Sequence, residues 1–151
     1  FRSTLPCPAP YCSDANPNGA LKMQKHVFPF RVYYEDTDLA GIVYYANYLK
    51  FIERARTEWV RNLGNDQNAM RDAGLVWVGR RIEADYLAPS RFEDELCVET
   101  KVVSVSNVRL TMEQLVKCDA IEVFRASVTV VCMTTAGKPT RLPAEVRASL
   151  R

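Results

Sequence analysis

The chain of 151 residues contains one histidine, His26. That scarcity excludes a good deal. A serine–histidine–aspartate triad would have to use His26, and no G-x-S-x-G elbow is present to offer a serine. A metal site built on two histidines is impossible within one chain. The six glycines are scattered and make neither G-x-G-x-x-G nor a P-loop, so nicotinamide and nucleoside triphosphate chemistry lose their usual signatures. No apolar run approaches the roughly 18–20 residues of a membrane-spanning helix. Charge of one sign is also missing. The formal net charge is +2, and the lysines and arginines are not gathered into a block, which argues against a nucleic-acid partner. Carboxylates remain as the candidate chemistry.

Cys7, Cys12, Cys97, Cys118 and Cys132 form no C-x-x-C pair. The last three lie in apolar runs of strand character, where buried thiols are common. This usage fits a reducing compartment, and so a cytoplasmic location. Cys7 and Cys12 sit in "CPAPYCSDANPNG", which is rich in Pro, Asn and Ser and has no period. We read residues 1–22 as a flexible tail or upstream extension; a disulfide or metal at its two cysteines is the alternative. The tail lacks the basic start and apolar middle of a secretory signal. Met23 stands just before the first strand-like run, so residues 23–151 are expected to form one domain, a length that supports a core without staples.

Periodicity sets the architecture. Val27–Tyr34 alternates and is rich in Val, Phe and Tyr, as a strand does, although Pro29 marks an edge or an irregular entry. Tyr48, Leu49, Ile52, Ala55, Trp59, Val60 and Leu63 recur at steps of three and four and form the apolar stripe of a long helix. Arg56 is expected off that stripe, and Gly64 stands where a C′ glycine belongs. From Leu75 the period falls to two, with strands expected at 76–86, 96–106, 109–117 and 123–135 and short turns between them. The result is an α+β domain, a five-stranded antiparallel sheet with one long helix on it. "VFRASVTVVCM" offers solvent little that is polar, and one helix cannot cover both faces. A homo-oligomer is therefore expected from the strands alone.

Glu35, Asp36 and Asp38 crowd the approach to the helix, and Gly41 permits a sharp bend after them. A helix start presents unpaired N–H groups and partial positive charge, which suit an oxygen that is becoming an anion. A carboxylate beside it can attack an acyl group or activate water. A thioester suits such a site, because its thiolate leaves without a strong acid. From spacing alone, a carboxylate that only caps the helix or solvates the loop is the favoured reading.

"VYYEDTDLAGIVYYANYLKFIERARTEWVR" resembles the signature of the hotdog-fold acyl-CoA thioesterases, in the 4-hydroxybenzoyl-CoA thioesterase branch. It is most similar to the small bacterial acyl-CoA thioesterases associated with the Tol-Pal envelope system. The likeness continues through "YLAPSRFEDEL" and "RLPAEVRASL". It implies the hotdog fold, a five-stranded antiparallel sheet wrapped around one long helix. It also implies subunits paired sheet to sheet as dimers or a dimer of dimers (a homotetramer), with active sites at the dimer interface.

By the same resemblance Asp38 is the catalytic aspartate, nucleophile or general base. The backbone N–H of Tyr45, with Tyr44 or Ala46 beside it, polarises the thioester carbonyl. Tol-Pal-associated members carry histidine where this chain has Tyr45. Hydroxybenzoyl-CoA members carry an aromatic there, which makes the backbone donor the group that matters. Another hotdog branch places its carboxylate on the helix, where Glu53 and Glu58 stand. Expected substrate-binding residues are Ile42, Val43, Tyr48 and Trp59, with Val78 and Gly79 from the second strand. Arg80 and Arg91 are expected at the coenzyme A phosphates. No metal or redox cofactor is implied, since coenzyme A belongs to the substrate. The alternatives are a hotdog protein that binds a thioester or an envelope-associated partner without turnover, and a thioesterase acting on acyl carrier protein.

Overall fold

The computed structural model describes residues 25–150; the expected tail, with Cys7, Cys12 and Met23, lies outside the described residues. Five strands form one antiparallel sheet: β1 (His26–Arg31), β2 (Leu75–Tyr86), β3 (Glu95–Val105), β4 (Arg109–Cys118) and β5 (Ile121–Thr134). Their order across the sheet is β1-β3-β4-β5-β2. The long helix α1 (Asn47–Asn62) lies on one face, and two short helices, α2 (Gln67–Asp72) and α3 (Ala144–Ser149), flank its C-terminal half. This is the α+β architecture expected from periodicity, and no helix among the described residues is long and apolar enough to cross a membrane.

The core forms where α1 meets the strands. Tyr48, Phe51, Ile52, Ala55 and Trp59 are buried against Val98, Met112, Val116, Phe124 and Val128. Phe51 belongs to the buried stripe and Leu49 does not, which corrects the stripe drawn from spacing. The helix ends in a Schellman motif: Gly64, at φ +78°, donates to Arg61 O and Asn65 to Val60 O.

Arg56 is not on the solvent face either. Its Nη1 donates to Gln114 Oε1 at 2.8 Å, while Gln114 Nε2 donates to Ile52 O and Thr100 Oγ1. Gln114 and Thr100 are fully buried in the sheet, so this network pins the helix at mid-length. Burial pulls the Arg56 guanidinium below its ordinary pKa, against the opposing charge of Glu53.

Three further expectations change. β1 ends at Arg31 rather than Tyr34, because Asp36 Oδ2 accepts from Tyr33 N and draws the chain into a 3-10 turn over Tyr34–Asp36. Sequence-adjacent β2 and β3 are not neighbours, since β2 pairs with β5 and β3 with β1 and β4. The segment between them crosses the sheet end instead of making a hairpin. The face of the sheet away from α1 is also less apolar than the β5 sequence suggests. Its register there is Arg125, Ser127, Thr129, Val131 and Met133, beside Arg109, Thr111, Glu113, Leu115 and Lys117 of β4.

Candidate active site

The acidic loop is a small closed structure. Thr37 bridges Val43, Asp38 N donates to Ile42 O, and Gly41 N donates to Asp38 O. Gly41 has φ +75°, a conformation that glycine adopts without strain. Of the three acids, Asp36 is buried, with its carboxylate on Tyr33 N and its carbonyl accepting from Tyr44 N and Asn47 Nδ2. It is a framework residue. Asp38 stands exposed at the bend, with Oδ1 taking only the N–H of Ala40, at 2.9 Å. Its second carboxylate oxygen has no partner among the described residues.

The loop delivers the chain to α1 without a cap. The N-cap is Ala46, which has helical φ and ψ and no side chain able to cap. Tyr45 N and Ala46 N donate to nothing among the described residues. Unpaired N–H groups at the positive end of a helix favour a carbonyl oxygen or an anion. The Tyr44 phenol has a raised pKa, first through hydrogen bonding with Tyr45, then through the Tyr45 charge, burial and the charge of Asp38. Asp38 thus lies within electrostatic reach of the residues at the helix start.

A strap behind the loop holds it. Val43 N donates to Ser90 O at 2.8 Å, and the Tyr48 hydroxyl donates to Ser90 Oγ at 3.0 Å. Ser90 is fully buried. The Tyr48 ring stacks on Phe124, with centroids 4.9 Å apart and planes 8° apart. At the open side Tyr86 OH donates to Tyr45 O at 3.0 Å. Ser90, Tyr86 and Asn47 complete the arrangement. In the sequence Ser90 and Tyr86 were hidden among ordinary turn and strand residues.

The remaining candidates divide. Ile42 is half-buried inside the Asp38 loop. Val43 and Tyr48 are buried in the core. Trp59 and Gly79 line a cavity of about 190 Å³ under the C-terminal half of α1. Val78 pairs with Val131 on the opposite face of the sheet from that cavity. Arg80 is the extra residue of a bulge in exposed β2, and Arg91 is exposed on the strap. His26 lies beside Asn62, at the far end of α1, about 24 Å along the helix from its start.

The thioesterase-like superfamily matches residues 32–150. The chain belongs to that superfamily. It is 40% identical over 124 residues to the acyl-CoA thioesterase YbgC of Haemophilus influenzae, covering 81% of this chain and 91% of that protein. It is 37% identical over 126 residues to the acyl-CoA thioester hydrolase YbgC of Escherichia coli O157:H7, covering 82% and 94%. Among solved structures, a probable thioesterase from Bartonella henselae superposes with a TM-score of 0.76 at 33% identity, covering 80% of this chain and all of that one. The superfamily match starts at Val32, in the approach to the Asp38 loop, and runs through α3.

Proposed function

We propose that this protein hydrolyses acyl-CoA thioesters: acyl-CoA and water give a carboxylic acid and coenzyme A. The observation that carries the reading is the juxtaposition at the start of α1. An exposed carboxylate with an unpartnered oxygen sits on a hydrogen-bonded loop ahead of α1, where the N–H groups of Tyr45 and Ala46 are unpaired among the described residues. The thioester carbonyl oxygen accepts from Tyr45 N, with Ala46 N beside it. Negative charge that builds on this oxygen in the tetrahedral transition state is then met by fixed dipoles. Asp38 either attacks the carbonyl carbon or takes a proton from the attacking water; in both routes the C–S bond breaks and coenzyme A leaves as the thiolate. The relatives named as acyl-CoA thioesterases support coenzyme A as the carrier. The chemistry asks for no further cofactor.

The working unit in this reading is at least a dimer. β2 is an edge strand of 12 residues, exposed from Val78 to Tyr86, and only its β5 side is paired. Arg81 and Glu83 form an ion pair on it. Antiparallel pairing of two β2 strands about a twofold axis at Ile82 sets Arg81 of each copy against Glu83 of the other, a self-complementary contact. Such pairing also brings a second copy toward the exposed site. The buried thiol of Cys132 fits a reducing, cytoplasmic setting.

The test is release of coenzyme A from short, long and aromatic acyl-CoAs, followed by chromatography, for the parent and Asp38→Asn. Asparagine keeps the acceptor for Ala40 N and removes the charge. A fall in kcat of about 10²-fold or more with unchanged melting supports the reading. Equal activity in the two proteins overturns the assignment of Asp38.

A further inference from the structure

The cavity under the C-terminal half of α1 is not isolated from the loop. Glu53, Arg56, Thr57 and Val60 form its helical wall. Read back along the helix at steps of three and four, the same face continues through Leu49 to Tyr45. Opposite this face runs the inward register of β2: Trp77, Gly79, Ile82, Ala84 and Tyr86, each paired with a buried residue of β5. α1 lies nearest β3 and β1 and leaves this register on the far edge bare, with Ile82 43% and Tyr86 51% exposed. A trough therefore descends from the uncapped helix start, where Tyr86 meets Tyr45, to the cavity, where Trp77 and Gly79 meet Val60 and Trp59.

Most of the cavity's polar side chains are hydrogen-bonded to other side chains. Thr57 Oγ1 donates to Glu53 Oε1 at 2.8 Å, and Arg56 is turned to Gln114. Asn65 and Gln67 also line it, with Asn65 Nδ2 donating to Ser149 Oγ, and the remainder is apolar, chiefly Trp59, Trp77, Met70, Met112, Val130 and Leu150. Its 190 Å³ exceeds the ~150 Å³ of an apolar cavity that takes benzene, and it suits a chain end of about six carbons.

Length sets what reaches it. From Tyr45 to Glu53 is about 12 Å along the helix, and to Val60 about 22 Å. An extended hydrocarbon advances roughly 1.3 Å per bond, given carbon–carbon bonds of about 1.5 Å. A chain held by its carbonyl at the helix start enters the cavity after about nine bonds and fills it at about twelve to sixteen carbons.

Resting on the thioesterase reading, we propose that this protein is selective for long, unbranched acyl chains. The α1–β2 trough guides the chain, and the cavity between Trp59, Trp77 and Gly79 receives its end.

Two observables separate this inference from the hydrolase reading itself. Trp59 and Trp77 are the only tryptophans in the protein, and both line the cavity, so intrinsic fluorescence reports its occupancy without turnover. Titration with tetradecanoic acid is expected to change that fluorescence, and butanoic acid is expected not to. In hydrolysis, kcat/KM for tetradecanoyl-CoA is expected to exceed that for butanoyl-CoA by about 10-fold or more. Gly79 supplies the blocking variant, because a Cβ there meets nothing within 4 Å. Gly79→Phe is expected to lower the ratio of tetradecanoyl to hexanoyl kcat/KM by about 10-fold and to abolish the fluorescence response to the long acid. Turnover with a flat chain-length profile and silent tryptophans overturns the inference and leaves the hydrolase reading standing. A fluorescence response without turnover of any acyl-CoA does the reverse. A parent preference for long chains that Gly79→Phe leaves intact, in a variant that melts like the parent, also overturns it.

Discussion

The Tyr86 hydroxyl donates to the carbonyl of Tyr45, 3.0 Å away, and so ties the last residue of β2 to the residue just before the N-cap of the long helix. The Tyr86 ring also lies edge-on to Tyr45, Tyr48 and Phe124. Through this one side chain the edge strand fixes the plane of the Tyr45–Ala46 peptide, and with it the direction of the Ala46 N–H. Burial, then the neighbouring Tyr45, raises the Tyr86 pKa, so the phenol stays protonated and remains a donor at neutral pH.

Tyr86→Phe removes that donor and keeps the ring. A hydrogen bond of this kind contributes about 0.5–1.5 kcal/mol, so kcat is expected to fall roughly 3- to 10-fold while the melting temperature moves little. Steady-state kinetics and a thermal scan of the same preparation check both halves. Unchanged kcat would mean that the Tyr45–Ala46 peptide is oriented without Tyr86.

The Arg56–Gln114–Thr100 network predicts a pattern of stability. Gln114→Leu strands the Arg56 guanidinium and Thr100 Oγ1 in the interior, and is expected to cost about 2–4 kcal/mol. Arg56→Met together with Gln114→Leu removes two of these polar partners at once and is expected to recover part of that loss. Urea unfolding of the two single variants, the double variant and the parent gives the cycle. Strict additivity would show that the two side chains act independently.

His26 predicts a pH dependence. Burial, partly opposed by Glu58, lowers its pKa from 6.5. Asn62 Nδ2 sits 3.0 Å from Nε2, and Nδ1 is buried without a partner among the described residues. The folded protein prefers the neutral ring, so the unfolded chain takes up its proton first as pH falls. The contribution is complete above about pH 6.5 and is lost progressively below it. Urea midpoints at pH 7.5 and 5.5 are expected to differ in the parent and to converge in His26→Leu. No convergence would place the titration elsewhere.

The exposed β2 edge predicts an assembly. Light scattering is expected to give at least twice the mass of the chain. Ile82→Asp, which puts a charge at the centre of the edge, is expected to shift the protein toward a monomer and to lower its activity with it. A monomeric parent with full activity would remove the second copy from the site.

Much of this was legible in the sequence, and the reasons for success and failure are physical. The helix was readable because Tyr48, Ile52, Ala55 and Trp59 repeat on one face and Gly64 closes it in the left-handed conformation. Leu49 and Phe51 were exchanged because both stand three residues from a buried position of the stripe, Ile52 and Tyr48, and spacing alone does not separate them. Arg56 read as a surface residue because its partner Gln114 is far away in the chain. The strand order could not be read from alternation, which records burial but not the neighbour. α3 was unreadable because its six residues hold one buried side chain, Val146. In the loop, composition marked three acids, but only hydrogen bonding separates the framework residue Asp36 from the exposed Asp38.

The place of β2 in the sheet also sets an order of assembly. Leu75 pairs with Thr134 and Tyr86 with Phe124, so β2 is made early and finds its partner only when β5 has been made. During synthesis its bare register waits, while β3, β4 and β5 close on one another through short turns. Pairing over that separation is slow, and the waiting strand is the part of the nascent chain most exposed to wrong partners. The edge that stays open in the folded chain is thus also what the ribosome-bound chain must keep shielded longest.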